Sequence, residues 1–211
     1  MMNDNNSMDF LDKPARIISV AFHPLLMTIY GLVILFSAPT ILGYLPFTIK
    51  RLLLLIVLVN NVLLPLALLP LFRYRNIISS WTIDNRRERN LPLLITTILY
   101  ASTAYIIMKF QLPMFLKSFF FAAFFVSLLV TLINFWWKIS IHAVGAGALF
   151  ALILILSIKL ISPLPWYLIS VSIMSGLLLS SRLKLNSHNP QQVWFGYLTG
   201  CLGLGLFMWF I

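Results

Sequence analysis

The stretch Ser181-Arg182-Leu183-Lys184-Leu185-Asn186-Ser187-His188 lies between two long apolar segments, and the rest of the chain is organised around it. It places a hydroxyl, a guanidinium and an imidazole on one short connection. Such a cluster adds little to the stability of a membrane protein, whereas a phosphate-binding site uses all three groups. The stretch therefore predicts a polar site at the ends of two membrane helices.

The composition predicts an integral membrane protein. Of the 211 residues, 61% are hydrophobic and only 9% are charged, far from the balance of a soluble domain. Because a membrane span needs about 20 apolar residues, we expect an all-α, polytopic bundle of six to seven transmembrane helices. Residues 1–15 read as a polar N-terminal tail without the pattern of a signal peptide, and residues 16–211 as one transmembrane domain. Six spans are predicted near 17–36, 51–72, 93–108, 114–134, 166–180 and 193–211. A further one, the fifth in chain order, follows His142 and ends near residue 160.

The acidic residues are few, and none lies inside an apolar segment: Asp4, Asp9, Asp12, Asp84 and Glu88. This distribution argues against carboxylate proton relays in the membrane and against a carboxylate-bridged metal centre, so we expect neither a metal nor a cofactor. The net charge of +10 is spread over short connections and forms no continuous face, which argues against a nucleic-acid partner.

Two smaller patterns predict contacts between helices. Asn60 and Asn61 fall in the middle of the second predicted span, where an unpaired amide is costly, so we expect them to bond to a neighbouring helix. Gly196, Gly200 and Gly203 share one face of the last predicted span and indicate close helix packing.

Three polar clusters mark the predicted span ends, at residues 86–92, 138–142 and 181–188. Two spans separate each cluster from the next, and an even number of crossings returns the chain to the same side of the membrane. All three clusters can therefore converge, and the converged set would hold Arg87, Arg89, Lys138, Ser140, His142, Ser181, Arg182 and His188.

Two histidines among several fixed cations suit phosphoryl transfer through a covalent phosphohistidine. One imidazole attacks phosphorus, and the other, protonated, gives its proton to the leaving oxygen. The cations stabilise the charge on the equatorial oxygens, so no metal is required.

The same residues resemble the type-2 phosphatidic acid phosphatase superfamily. Ser181-Arg182-x5-His188 is similar to its third signature, Ser-Arg-x5-His-x3-Asp, in which the histidine is the nucleophile. Ile139-Ser140-Ile141-His142 looks like its Pro-Ser-Gly-His, and the stretch from Arg86 to Pro92 loosely resembles its Lys-x6-Arg-Pro. The motifs stand in the family's order, and the resemblance covers about residues 75–200.

The resemblance implies a role for each matching residue. His188 would be the nucleophile and His142 the acid for the leaving group. Arg182 and Ser140 would hold the phosphate, with Arg89 or Arg87 completing the clamp. Lys138 and Ser181 join them as phosphate-binding candidates from the converged set. The implied substrate is a lipid or prenyl (isoprenoid) phosphate that is reached from the bilayer, and the implied location is a bacterial inner membrane.

The chain departs from the family most at Gln192, which stands where the family's aspartate orients the nucleophilic histidine. Glutamine can accept a hydrogen bond from the ring but does not stabilise an imidazolium by charge. One hypothesis is that Glu88 or Asp84 takes over the orienting role. In addition, no lysine precedes the first motif's arginine at the family spacing, and Ile139 and Ile141 replace proline and glycine.

Two alternatives stand beside a phosphatase: a relative that binds or moves a phosphorylated lipid without catalysis, and a small transporter or structural membrane protein with no phosphate site. The positive-inside rule assigns no side to the site. Once the proposed ligands Arg87, Arg89, Lys138 and Arg182 are left out, six basic residues flank one side and five the other. The particular lipid and the oligomeric state stay open.

Overall fold

The computed structural model describes residues 11–81, 83 and 85–210, and every regular element among them is a helix. Seven helical stretches in this part of the chain are long and apolar enough to cross a membrane, which confirms the predicted all-α bundle of six to seven spans. The α-helices are α1 (Asp12–Ala21), α2 (Met27–Ser37), α3 (Phe47–Val57), α4 (Leu64–Tyr74), α5 (Asn90–Met108), α6 (Met114–Trp136), α7 (Ile141–Lys159), α8 (Pro165–Lys184) and α9 (Pro190–Phe210).

The first two spans are each built from two helices, α1 with α2 and α3 with α4, and each of the other helices forms one span. Residues 1–10 of the predicted tail lie outside the described residues, and α1 begins at Asp12, within that tail. Large apolar side chains stand exposed along the helices, among them Ile98, Ile173 and Leu202. Such surfaces suit lipid rather than water, so the protein is a multi-pass integral membrane protein.

A break between α1 and α2 bends the first span. It falls at His23 and Pro24, where a short 3₁₀ turn (Pro24–Leu26) begins. Proline lacks an N–H and suits the first position of such a turn, while the Nδ1 atom of His23 accepts a hydrogen bond from the N–H of Leu25 (3.3 Å). The break turns the His23 ring toward the start of α7.

A π-helical segment (Leu58–Leu63) joins α3 to α4 and carries the two asparagines of the second span. The side-chain amide of Asn60 donates to the hydroxyl of Ser102 on α5 (2.8 Å). The hydroxyl of Thr103 donates to the amide oxygen of Asn61 (2.7 Å). The prediction that these amides bond across helices is therefore confirmed.

Helices α7 and α9 pack with their backbones in contact. A Cβ atom added at Gly200 would lie 2.0 Å from the carbonyl oxygen of Val144, and one added at Gly196 would lie 2.7 Å from that of Ser140. The backbone N–H of Ser140 also donates to the carbonyl of Gln192 (3.3 Å). The predicted glycine face is thus a packing surface, and it holds the second polar cluster against the third.

The sixth span is longer than predicted. Helix α8 continues to Lys184, so Ser181 and Arg182 lie on its last turn rather than on a connection. The hydroxyl of Ser181 donates to the carbonyl of Leu177 one turn earlier (2.7 Å), and positive side chains are favourable at a helix C-terminus. Asn186 (φ 50°) then adopts a left-handed conformation that ends the helix.

Candidate active site

A cavity of about 280 Å³ opens between the helix ends that carry the polar clusters. Its polar wall collects side chains from five separate parts of the chain: the break in the first span, the 3₁₀ turn before α5 (Arg87–Arg89), the start of α7, the last turn of α8, and the connection before α9. In that order they are His23, Arg89, His142, Arg182 and His188. Four of the eight residues predicted to converge therefore line one cavity.

The imidazole of His188 is buried, with 6% of its surface exposed, and its Nδ1 atom lies 3.0 Å from the Oε1 atom of Gln192. Because an amide oxygen only accepts hydrogen bonds, Nδ1 carries the proton and donates it. In the neutral ring, Nε2 then keeps its lone pair. This tautomer is the one that a nucleophilic histidine needs.

The electrostatic surroundings keep His188 neutral. Burial is the main cause that lowers its pKa from the ordinary 6.5 to about 4. The hydrogen bond with Gln192 acts in the opposite direction, and the positive charges of Arg89, Arg182 and Lys138 lower the pKa further. Lys138 thus lies within electrostatic range of the ring, although it is not among the cavity-lining side chains.

Gln192 is held in place by the start of α9. The backbone N–H of Gln192 donates to the side-chain oxygen of Asn189 (2.9 Å), and the Oε1 atom of Gln192 accepts from the N–H of Asn189 (3.4 Å). This reciprocal pair is a capping box, with Pro190 at the first helical position. The hydrogen bonds that cap the start of α9 therefore also hold Gln192, the residue that orients His188, in place.

His142, the second residue of α7, points its Nε2 atom at the carbonyl oxygen of Ser19 on α1 (3.2 Å). The carbonyl can only accept, so Nε2 carries a proton and Nδ1 is the nitrogen left for proton exchange. The His23 ring packs edge-on against the His142 ring, with their centroids 5.8 Å apart. Two imidazoles therefore stand side by side in the wall of the cavity.

His23 is not among the residues that the sequence predicts for the site. Its Nδ1 atom accepts from the backbone N–H of Leu25 at the break in the first span, yet the same ring lines the cavity and contacts His142. The histidine–proline pair inside an apolar segment signals a break in the span. The sequence alone gives no sign that this break lies beside the second polar cluster.

Arg89 is the most deeply buried cation of the wall, with 8% of its surface exposed. Its Nε atom donates to the carbonyl of Ile83 (2.7 Å), which fixes the guanidinium plane. Arg182, on the last turn of α8, lines the same cavity. Two guanidinium groups in one wall can bind the oxygens of one phosphate.

Besides Lys138, three more predicted phosphate ligands lie outside the cavity wall: Arg87, Ser181 and Ser140. The Arg87 side chain is exposed, and its backbone N–H donates to the side chain of Asn85 (3.1 Å). The Ser181 hydroxyl is bonded to its own helix. Ser140 is fully buried at the contact with α9, and its Oγ atom makes no hydrogen bond with the described residues.

Glu88, one of the two acids proposed to orient His188, is bonded to another residue in the structure. Both carboxylate oxygens of Glu88 accept hydrogen bonds from Ser79, at 2.6 Å from its backbone nitrogen and 2.9 Å from its hydroxyl. The orienting bond to His188 comes from Gln192 itself. Asp84, the other acid proposed for this role, lies outside the described residues.

No family model, curated protein or solved structure matches the chain. The resemblance to the phosphatase superfamily therefore rests on the three short motifs and the residues that they contain.

The bond between His188 and Gln192 yields a prediction that needs no substrate. Replacing Gln192 with glutamate keeps the capping box and puts a negative charge beside Nδ1, which favours the imidazolium. We expect the pKa of His188 to rise from about 4 to between about 5 and 7. Histidine ring signals in an NMR titration of the detergent-solubilised protein measure it, because the chain has only 3 histidines.

The matched control is Gln191→Glu, which adds the same charge at an exposed neighbouring position. It should leave the pKa of His188 unchanged, and an unchanged pKa in Gln192→Glu would refute the orienting bond.

The same bond makes a prediction for how the free energy of unfolding depends on pH. The His188 ring takes up a proton near pH 6.5 in the unfolded chain and near pH 4 in the folded chain. Lowering the pH from 6.5 to 4 therefore lowers the free energy of unfolding. Gln192→Glu should lose less stability in that window than the wild type.

Proposed function

We propose that this protein is a metal-independent membrane phosphatase that hydrolyses a lipid or isoprenoid phosphate through a phosphohistidine, in a bacterial inner membrane. One observation carries the proposal: Arg89, Arg182, His142 and a neutral, oriented His188 share one cavity that opens between apolar helices. A structural membrane protein has no use for two guanidinium groups and two imidazoles around one space.

The proposed reaction has two steps. The Nε2 lone pair of His188 attacks phosphorus, the bond from phosphorus to the lipid oxygen breaks, and protonated His142 gives its proton to that oxygen. A water molecule then attacks the phosphohistidine, and neutral His142 takes one of its protons. The phosphorus–nitrogen bond breaks, inorganic phosphate leaves, and both rings return to their starting states.

The cations act on the charge that develops during both steps. Arg89 and Arg182 line the cavity and would hold the three equatorial oxygens of the transferring group. Lys138 adds positive charge near His188. Because the carbonyl of Ile83 holds Arg89 in place before the substrate arrives, this group needs little reorganisation when the charge moves.

Gln192 favours a second candidate function. A neutral amide orients His188 but gives the phosphorylated ring no opposite charge, whereas a carboxylate would. The reaction should therefore be slow, or the site could retain the phosphate without cleaving it. In the second case the protein binds or moves a phosphorylated lipid, with Arg89 and Arg182 as its phosphate ligands.

Replacement of Arg182 with glutamine tests the proposal. We expect about a 100-fold loss of phosphate release, since removal of one fixed donor to a developing oxyanion typically costs 10²–10³ in rate. The assay measures inorganic phosphate released by detergent-purified protein with a chelator present. Its substrates are a prenyl phosphate, a dodecyl phosphate and a phosphatidic acid.

Arg51→Gln is the matched control, because this arginine is exposed near the other ends of the helices, and its rate should not change. Equal rates for the wild type and Arg182→Gln would contradict the proposed clamp. A folded wild type that binds these phosphates and releases none would support the binding function instead. A protein that neither binds nor releases them would overturn both.

A further inference from the structure

The cavity does not end at its polar wall but continues into the bundle as an apolar shaft. Along α6 its wall runs from Val130 through Ala123 to Phe119, and along α5 from Pro92 to Tyr100. Eleven residues of helix correspond to about 16 Å at 1.5 Å per residue. The shaft therefore reaches about as deep as the middle of a hydrocarbon core about 30 Å thick.

The polar groups along the shaft are already bonded to protein. The hydroxyls of Tyr100 and Thr28 lie 2.8 Å apart and bond to each other. The Thr96 hydroxyl donates to the carbonyl of Pro92 (2.8 Å). The Ser127 hydroxyl lies 2.9 Å from that of Thr97. A ligand in this space therefore meets satisfied polar groups and apolar walls, which favour hydrocarbon.

The shaft is lined on several sides and is partly open. Its walls come from several helices, with Leu69 on α4, Leu149 on α7 and Leu204 on α9 facing the same space. The whole cavity, with its polar wall, measures about 280 Å³. Pockets for drug-sized ligands run from about 300 to 1,000 Å³, so this one is small. A phosphate with one hydrocarbon chain suits this space, and a second acyl chain would have to lie outside it.

We infer that the ligand of this site is a single-chain amphiphile whose phosphate meets Arg89 and Arg182 and whose one hydrocarbon chain lies inside the shaft. The inference deepens the proposed function and rests on it only for the phosphate group of the ligand. The single hydrocarbon chain is argued from the shaft. An extended chain advances about 1.2 Å per bond, so a shaft about 16 Å deep accepts about a dozen carbons. The substrate class is thus a prenyl or alkyl monophosphate rather than a two-chain phosphatidic acid.

Ala123 offers a direct test, because it lines the shaft about 10 Å below Val130 and its small side chain leaves the space open. Binding of hexyl, octyl, dodecyl and hexadecyl phosphate to the wild type should tighten about threefold to fourfold per methylene and level off near dodecyl. Ala123→Leu fills the lower half. It should weaken dodecyl phosphate at least tenfold and leave hexyl phosphate unchanged.

Ala67→Leu is the matched control, since Ala67 is exposed on α4 and does not line the cavity. It should bind like the wild type. Ala148→Leu on α7 repeats the test should Ala123→Leu fail to fold, because Ala148 also lines the shaft. Affinity that is independent of chain length, or phosphatidic acid bound as tightly as dodecyl phosphate, would overturn the inference.

The binding series separates this inference from the proposed function. Chain-length-dependent binding without any phosphate release would support the single-chain site and contradict the proposed phosphatase activity. Phosphate release at equal rates from short, long and two-chain substrates would do the reverse. Both results come from the same detergent-purified protein.

Discussion

Replacing His188 with alanine should abolish phosphate release and leave no phosphorylated protein. His188 is the one imidazole of the cavity held by Gln192 in the tautomer with a free Nε2, and its pKa of about 4 keeps it neutral at pH 7. Loss of a covalent nucleophile typically costs 10³-fold or more, because the remaining site can only bind. A substrate labelled with radioactive phosphate measures both quantities, since an acid-labile label on the wild type reports the phosphohistidine.

Ser187→Ala is the control for this experiment, because it changes the neighbouring residue of the same connection and leaves the imidazole in place. It should release phosphate and become labelled like the wild type. A labelled or active His188→Ala protein would show that another group is the nucleophile. A wild type that binds dodecyl phosphate but takes up no label would point to the binding function.

Replacing Gly200 with valine should prevent stable folding, the largest structural effect that we expect. A Cβ atom there would lie 2.0 Å from the carbonyl oxygen of Val144 and 2.8 Å from the backbone nitrogen of Ala148, and backbone atoms cannot move aside. Overpacking typically costs about 1–3 kcal/mol, and a clash with backbone should exceed that range. The thermal midpoint in detergent and the yield of folded protein measure the loss.

Gly176→Ala on α8 provides the comparison, because no atom lies within 4 Å of the position of its added Cβ. Alanine is the better helix former by about 1 kcal/mol, so the thermal midpoint should stay equal or rise slightly. If Gly200→Val melted like the wild type, α7 and α9 would have to be farther apart than the structure places them. The contact between Ser140 and Gln192 would then be lost as well.

Much of the architecture follows from the sequence because the membrane permits few solutions. Apolar length predicts the spans, since a backbone in lipid must satisfy its hydrogen bonds within a helix. The glycine spacing at Gly196 and Gly200 predicts the contact with α7 because only a missing side chain allows it. The even number of crossings between clusters predicts that Arg89, His142 and His188 meet on one side.

The remaining details depend on geometry that local patterns do not report. The break in the first span brings His23 onto His142, and two segments more than 100 residues apart give no sequence signal for that contact. The family pattern predicts an acid as the orienting partner of His188, and Gln192 can accept from the ring as well; Asn189 and Gln192 also have the spacing of a capping box. That spacing was the available clue, because a capping glutamine four residues after a histidine can reach its ring.

The seven spans have a consequence for where the two products of the proposed reaction go. An odd number of crossings puts the start of α1 and the end of α9 in different compartments, and the cavity opens on the side of α1. Phosphate released there dissolves in that compartment, while the dephosphorylated chain stays in the bilayer. Turnover would then enrich a single compartment in phosphate, and neither product would have to cross the membrane.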